Sequence, residues 1–72
     1  MVMPNMVPVE SSNIRAIGYD EDGLELWIEF NDYSTYVYDG VPSIVHDELI
    51  AAPSKGSYFN RVVKGNYGFR KQ

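Results

Sequence analysis

The sequence predicts an α+β fold, in which a three-stranded antiparallel β-meander is followed by two short helices packed on one face of the sheet. Three observations predict it. Apolar and polar side chains alternate over residues 24–30, which is the period of a strand. Turn residues at 20–23 and 31–32 separate this run from two further β-rich runs. After Gly40 the apolar spacing changes to that of a helix.

The first two strands form a hairpin in this prediction. Residues 13–19 are rich in β-forming side chains and end at an acidic turn, where Asp22 and Gly23 suit a tight connection with positive φ. In residues 24–30 the polar face carries Trp27 between two glutamates. We therefore expect Trp27 to be a surface ring lying over its neighbours or part of a contact patch.

The third strand, residues 33–38, follows a turn at Asn31 and Asp32. Tyr36 and Tyr38 are two residues apart, so they project from the same face of the strand. An open face would make them a stacking platform, and a covered face would place them in the core. We favour the core, with both hydroxyls at its margin.

Helical signals begin at Pro42, which suits a first helical turn, and continue to residue 52, before Pro53. Ser54 is a good N-cap for a second, shorter helix that stops near Gly65. Phe59 in that helix is expected in the core. Residues 66–72 could form a short strand at the sheet edge or a docked tail, and the sequence leaves both open.

The length of 72 residues allows one domain. We assign residues 1–10 to a flexible lead-in, because Pro4 and Pro8 interrupt it and it has no periodic pattern, and residues 11–72 to the single domain. Hydrophobic residues make up 44% and charged residues 22%, a mixture typical of globular chains. With no signal peptide pattern and no apolar stretch of about 20 residues, the chain is expected to be cytoplasmic and without membrane contact.

Enzymatic chemistry has little support in the sequence. The absence of cysteine and the single histidine exclude thiolate zinc sites and most other metal schemes. His46 beside Asp47 could suggest a base and an orienting acid, but helical spacing turns His46 towards the solvated side and no serine has a nucleophile-elbow setting. We predict a non-enzymatic protein with no metal and no cofactor.

The net charge of −4 divides unevenly along the chain. Residues 1–48 carry all ten acids and one base, for a charge of −9, and residues 49–72 carry five bases and no acid, for +5. Such asymmetry is typical of a nucleic-acid surface in the basic part, although pairing between the two parts explains it equally well.

In the basic part, aromatic rings alternate with the charges. Bases bind phosphates and rings stack on unpaired nucleobases, so the pattern favours RNA or another single-stranded nucleic acid. Tyr58 and Tyr67 are the candidate stacking rings, with burial in the core as the alternative for each. The candidate binding residues are Lys55, Tyr58, Asn60, Arg61, Lys64, Tyr67, Arg70 and Lys71.

These motifs together resemble one family. The order Ser12-Asn13-Ile14, Gly18-Tyr19-Asp20, Tyr36-x-Tyr38, Gly40-Val41-Pro42, Ala51 to Gly56, Tyr58-Phe59-Asn60 and Tyr67-x-Phe69-Arg70 is similar to the KTSC domain over residues 11–71. That family is named from the C-terminus of some lysyl-tRNA synthetases and also occurs as single-domain bacterial and phage proteins. The resemblance implies the predicted fold, RNA binding as the usual suggestion, and Tyr36 and Tyr38 as the family's Tyr-x-Tyr.

Three functions remain open on the sequence. The first is a small RNA-binding module that uses the basic, aromatic segment. The second is a protein-interaction or self-associating module that uses Trp27 and an unpaired sheet edge. The third is capture of a small phosphorylated ligand by the same bases. The direction of the five C-terminal bases distinguishes a polyanion site from simple pairing with the acids Glu25, Glu29, Asp47 and Glu48.

Overall fold

The computed structural model of the protein describes residues 3–72. Five antiparallel strands form one sheet in sequence order. They are β1 (Val7–Pro8), β2 (Ile14–Asp20), β3 (Glu25–Phe30), β4 (Thr35–Tyr38) and β5 (Phe69–Lys71). Between β4 and β5 lie α1 (Ser43–Ala51) and α2 (Lys55–Tyr58), and α2 continues directly into a π-helical turn, Phe59–Val63.

The α+β class is confirmed, but the prediction of three strands is wrong because β1 and β5 extend the sheet at its two edges. In β1, Val7 and Pro8 pair with Ile17 and Ala16. Proline lacks an amide hydrogen and is therefore tolerated on an edge strand. The two added strands have two and three residues, too few to show a period of two in the sequence.

The segment predicted as a flexible lead-in, residues 1–10, contributes β1. The residues just before β1 also lie against the sheet. A Cβ placed on Gly18 would lie 2.5 Å from Sδ of Met6 and 3.2 Å from the carbonyl oxygen of Asn5. Gly18 therefore provides the room for this backbone to cross the outer face of the sheet, the face opposite the helices.

Trp27 is buried, with 5% of its surface exposed, so the expectation of a surface ring is wrong. It pairs with Gly18 in β2 and Val37 in β4 on the outer face. Met3 lines the same small cleft as Trp27, and the indole nitrogen donates a hydrogen bond of 3.3 Å to Oε1 of Glu25. The N-terminal segment thus covers the Trp27 ring, which the alternation of polar and apolar residues in β3 had predicted to be exposed to solvent.

The turns also differ from the prediction in detail. Positive φ falls on Leu24 (54°) in the first turn and Tyr33 (69°) in the second, not on Gly23. Oδ1 of Asp20 accepts hydrogen bonds from the backbone of Asp22 and Gly23, which holds the first turn in a longer form than a two-residue connection.

The helices pack as predicted on the inner face of the sheet. Val45 and Leu49 of α1 are buried, and so is Phe59, as expected. The Ser54 cap is confirmed, since its hydroxyl accepts a hydrogen bond from the backbone of Ser57. Within residues 3–72, no helix has the length and apolar character needed to cross a membrane.

Candidate functional site

A groove with a volume of about 610 Å³ opens on the inner face of the sheet, beside the part that the helices cover. Its floor is aromatic and comes from four separate segments of the chain: Phe30, Tyr36, Tyr38, Phe59 and Phe69. Its rim is polar and consists of Ser12, Asn13, Asn31, Asp32, Ser34, Asn60, Lys64 and Gly65. A cleft of this size, with apolar walls and a few polar groups, is typical of a site for a small ligand.

Strand pairing and helix packing bring the rings together. Phe69 of β5 lies directly opposite Tyr38 of β4, and Lys71 lies opposite Tyr36. The π-helical turn places Phe59 against Phe30 and Tyr38, with ring centroids 5.5 and 5.4 Å apart.

The five rings form a closed cycle, in which each contacts the next. Phe30 and Tyr36 are 5.7 Å apart, Tyr36 and Phe69 are 5.6 Å apart, and Phe69 and Tyr38 are 5.5 Å apart. Phe59 closes the cycle. Phe69 is 60% exposed, whereas Tyr38 and Phe59 are buried. Tyr36 and Tyr38 therefore support the Phe69 ring from the side of the sheet, and much of its surface stays exposed to solvent and available for stacking.

Two lysines give this groove its positive charge. Lys64 lies on the rim, and Nζ of Lys71 is 6.0 Å from the centroid of the Tyr36 ring. The acid on the rim is Asp32, whose Oδ1 accepts hydrogen bonds from the hydroxyl and the backbone N–H of Ser34. These bonds, with a smaller contribution from Lys71, lower the pKa of Asp32 below its ordinary value, so this carboxylate stays ionised at neutral pH.

Two asparagines stand side by side at the rim. The backbone N–H of Asn31 donates to the carbonyl oxygen of Asn13 at 2.9 Å, which joins the β3–β4 turn to the start of β2. The side-chain amide of Asn31 donates to the carbonyl oxygen of Ser12 at 2.9 Å. Oδ1 of Asn13 accepts a hydrogen bond of 3.1 Å from the hydroxyl of Ser11.

The predicted basic residues do not share one face. Lys64 and Asn60 line the groove and Lys71 is next to it. Nζ of Lys55 instead donates to the carbonyl oxygen of Ala52. The guanidinium of Arg61 lies 5.7 Å from the centroid of the Tyr58 ring, outside the groove.

Arg70 follows the alternative of charge pairing. It forms ion pairs with Glu25 at 2.9 Å and with Asp39 at 2.8 Å, on the outer face of the sheet. Hydrogen bonds to these two carboxylates raise the pKa of Arg70 above its ordinary value. The Arg70 guanidinium therefore has a structural role, in which it joins β5 to β3 and to the residue after β4.

The two candidate stacking rings are both packed into the protein. Tyr58 is buried, and its hydroxyl donates to Oε1 of Glu48 at 2.8 Å. Burial, reinforced by this hydrogen bond, raises the pKa of Tyr58 to about 12. Tyr67 is half-buried against the core. Tyr38 is buried and Tyr36 half-buried, and both line the groove.

Sequence reasoning missed the part of the groove that comes from Phe30, Asn13 and the β3–β4 turn. One signal was present: turn-forming Asn and Asp residues at 31–32 lie directly between two aromatic strand segments.

His46, the single histidine, stacks on Tyr19 with ring centroids 4.9 Å apart. Among residues 3–72, no three histidine, aspartate or glutamate side chains come together as a set of metal ligands.

A meander of antiparallel strands, with a helix and a π-helical turn on one face and an aromatic groove beside them, defines a small α+β domain. The family model of the KTSC domain matches residues 10–67. The chain belongs to the KTSC domain family.

Relatives of two kinds are similar to this chain in sequence. A protein of Tsukamurella paurometabola is 45% identical over 62 residues, which cover 86% of this chain and 92% of that protein. A lysine–tRNA ligase of Nostoc punctiforme is 40% identical over 62 residues, which cover 86% of this chain but 11% of the ligase. The chain therefore corresponds to a small part of that enzyme.

A solved structure shares the fold along nearly the whole chain. The crystal structure of a KTSC domain protein from Yersinia pestis superposes with a TM-score of 0.94 at 43% identity, covering 97% of this chain and 99% of that one.

Proposed function

We propose that this protein is a small, non-enzymatic binding module that holds single-stranded RNA in the aromatic groove. The observation that carries the proposal is the exposed ring of Phe69, which packs on Tyr36 and Tyr38 in a groove that Lys64 lines and Lys71 adjoins. Base–aromatic stacking combined with lysines that contact phosphates is the usual mode of single-strand recognition.

The groove is suited to an unpaired base rather than to a duplex. Bases in a duplex hide their π faces in the stack, whereas an unpaired base can lie on a side-chain ring. A volume of about 610 Å³ is enough for one nucleotide, with its neighbours along the strand outside the groove. The polar rim offers hydrogen bonds to a base edge or a ribose.

The proposal changes the predicted set of binding residues. Lys64 and Lys71 remain phosphate contacts, and Asn60 remains a rim contact. Phe69 and Tyr36 replace Tyr58 and Tyr67 as the stacking rings, because only the former two line the groove. Arg70 leaves the set because its charge is neutralised by two carboxylates.

Ion pairs neutralise part of the acidity of the sheet. Glu29 pairs with Arg15, and Glu25 and Asp39 pair with Arg70. These three carboxylates lie outside the groove, whose lining includes Lys64, with Lys71 beside it. The match to lysine–tRNA ligases supports an RNA ligand, because those enzymes carry the same domain.

The test is a titration of a labelled pentanucleotide RNA at several salt concentrations, with the same sequence in a duplex as the control. Two phosphate contacts on a single strand predict a slope of about −1.4 for log affinity against log salt. Absence of binding at low salt, binding indifferent to salt, or equal affinity for the duplex would each contradict the proposal.

A further inference from the structure

Resting on the proposed RNA-binding function, we propose that the groove selects a guanine base, whose edge is contacted by Asn13, Asn31 and Asp32. All three line the rim beside the aromatic floor. Their hydrogen bonds to the rest of the protein determine which of their atoms remain available to a ligand.

Asn31 offers an acceptor. Its Nδ2 donates to the carbonyl oxygen of Ser12 at 2.9 Å, and a carbonyl can only accept, so the orientation of this amide is determined. Within residues 3–72, Oδ1 of Asn31 has no hydrogen-bond partner. This oxygen is therefore an acceptor at the rim.

Asn13 offers a donor. The hydroxyl oxygen of Ser11 accepts from the backbone N–H groups of Asn13 and Ile14, which leaves the hydroxyl hydrogen to be donated to Oδ1 of Asn13. Nδ2 of Asn13 is then the half of the amide without a partner in the described part of the chain. Gly56 leaves room for this side chain, since a Cβ there would lie 2.6 Å from Oδ1 of Asn13.

Asp32 offers a second acceptor. Both of its hydrogen bonds from Ser34 go to Oδ1, and no residue between 3 and 72 bonds to Oδ2. An aspartate is ionised at neutral pH, and these bonds stabilise the charged form further by lowering its pKa. A negative charge repels phosphate, so this group is suited to a base edge and leaves phosphates to Lys64 and Lys71.

One donor and two acceptors complement a base edge that has one acceptor and two donors. The Watson–Crick edge of guanine has this composition: its carbonyl oxygen accepts, and its ring N–H and 2-amino group both donate. Adenine and cytosine each offer a single donor group there, and uracil offers one donor between two acceptors. The hydrogen bonds to guanine are also strengthened by the charge on Asp32.

The experiment compares pentanucleotides that differ only in the central base, placed between uracils: guanine, adenine, cytosine, uracil or inosine. Guanosine monophosphate is titrated in parallel. We expect guanine to bind about tenfold more tightly than adenine, cytosine or uracil, which corresponds to about 1.4 kcal/mol. Inosine lacks the 2-amino group and is expected to lose part of this preference.

Two variants test the contacts. Asp32→Asn keeps an oxygen for Ser34 but replaces the free acceptor with a donor, and Asn13→Asp replaces the free donor with an acceptor. Each is expected to remove the guanine preference, measured as the ratio of guanine to uracil affinity within the same variant, because a general effect of charge on phosphate binding cancels in this ratio. Asp22→Asn, which removes the same negative charge from the exposed turn between β2 and β3, is the control for Asp32→Asn. Thermal unfolding midpoints confirm that each variant folds.

The outcomes separate the two proposals. Equal affinity for all central bases, or a guanine preference that survives Asp32→Asn and Asn13→Asp, overturns the guanine inference and leaves RNA binding intact. Failure of every oligonucleotide and of guanosine monophosphate to bind overturns both. Guanosine monophosphate binding as tightly as the guanine oligonucleotide supports base selection and contradicts recognition of an RNA chain.

Discussion

The hydroxyl of Tyr58 donates a hydrogen bond of 2.8 Å to Oε1 of Glu48, and this bond joins α2 to α1. The ring of Tyr58 is buried as a member of the hydrophobic core. Tyr58 therefore belongs to the structural framework that supports the π-helical turn, and the open rings of the groove lie elsewhere.

Removing this hydroxyl should lower stability without affecting RNA binding. We expect Tyr58→Phe to reduce the free energy of unfolding by about 1 kcal/mol, because Glu48 then loses its donor. Urea denaturation measures the change. Tyr33→Phe is the control, since Tyr33 is 68% exposed. Equal stability of the two variants would show that the bond contributes nothing.

Stability should fall at alkaline pH. The pKa of Tyr58 rises from 10.0 to about 12 in the folded protein, so between these values the native state binds a proton that the unfolded state has lost. This contribution is fully present below about pH 10 and is lost as pH rises through about 12. Tyr19 and Tyr38, whose pKa values burial also raises, act in the same direction.

Urea denaturation at a series of pH values measures this loss, and the ultraviolet absorbance of tyrosinate reports ionisation. Tyr58→Phe should show a shallower decline than the unmodified protein. A decline of equal steepness in both proteins would assign the effect to other groups.

Phe69 should contribute to RNA affinity far more than to stability. Phe69→Ala is expected to weaken binding of a single strand by about tenfold, through the loss of one stacking surface. The matched control is Ile44→Ala, because Ile44 is 59% exposed, compared with 60% for Phe69, but lies on α1 outside the groove. Fluorescence anisotropy measures the affinities, and equal losses in both variants would contradict the assignment of the groove.

Lys64 and Arg70 should respond differently to loss of charge, although each substitution removes one positive charge from the same segment. Lys64→Gln is expected to reduce the salt slope of RNA binding by about 0.7, the contribution of one phosphate contact. Arg70→Gln should leave the slope unchanged and lower stability only slightly, because its ion pairs are partly exposed and screened by solvent. Equal slopes in the two variants would indicate a nonspecific charge effect.

Gly18 should be required for the N-terminal segment to lie on the sheet. Gly18→Ala places a Cβ against Met6 and Asn5, so we expect a loss of about 1–3 kcal/mol from steric crowding. Trp27, the single tryptophan, should show red-shifted fluorescence as water reaches its ring. Gly68→Ala, where a Cβ would meet nothing within 4 Å, is the control. Unchanged emission from Gly18→Ala would contradict this packing.

Local patterns were enough to predict several elements of the fold. The alternation in residues 24–30 predicted β3. The helical spacing of Ile44, Val45, Leu49 and Ala52 predicted α1, in which Val45 and Leu49 are buried but Ile44 is 59% exposed. Ser54 was predicted as a cap because its function depends on a residue three positions away. In each case the interacting groups are close in sequence, so their spacing carries the information.

Trp27 and Arg70 show where such patterns were insufficient. Trp27 is covered by the N-terminal segment that contains Met3, which is distant in sequence. Arg70 binds Glu25, which lies 45 positions earlier in the sequence. Neither contact leaves a periodic trace. Strand β1 was also missed, and β5 was one of two alternatives left open for residues 66–72, because both strands depend on hydrogen bonds from β2 and β4 rather than on their own side chains.

The sequence by itself determined an α+β domain of the KTSC family, with an acidic first part and a basic, aromatic last part. Only the tertiary structure decided which of those bases and rings line the groove. Antiparallel pairing set Phe69 beside Tyr38 and turned Arg70 to the opposite face, because successive residues of a strand project to opposite sides. The groove exists because four separate segments converge, and convergence of that kind is a property of packing rather than of any one segment.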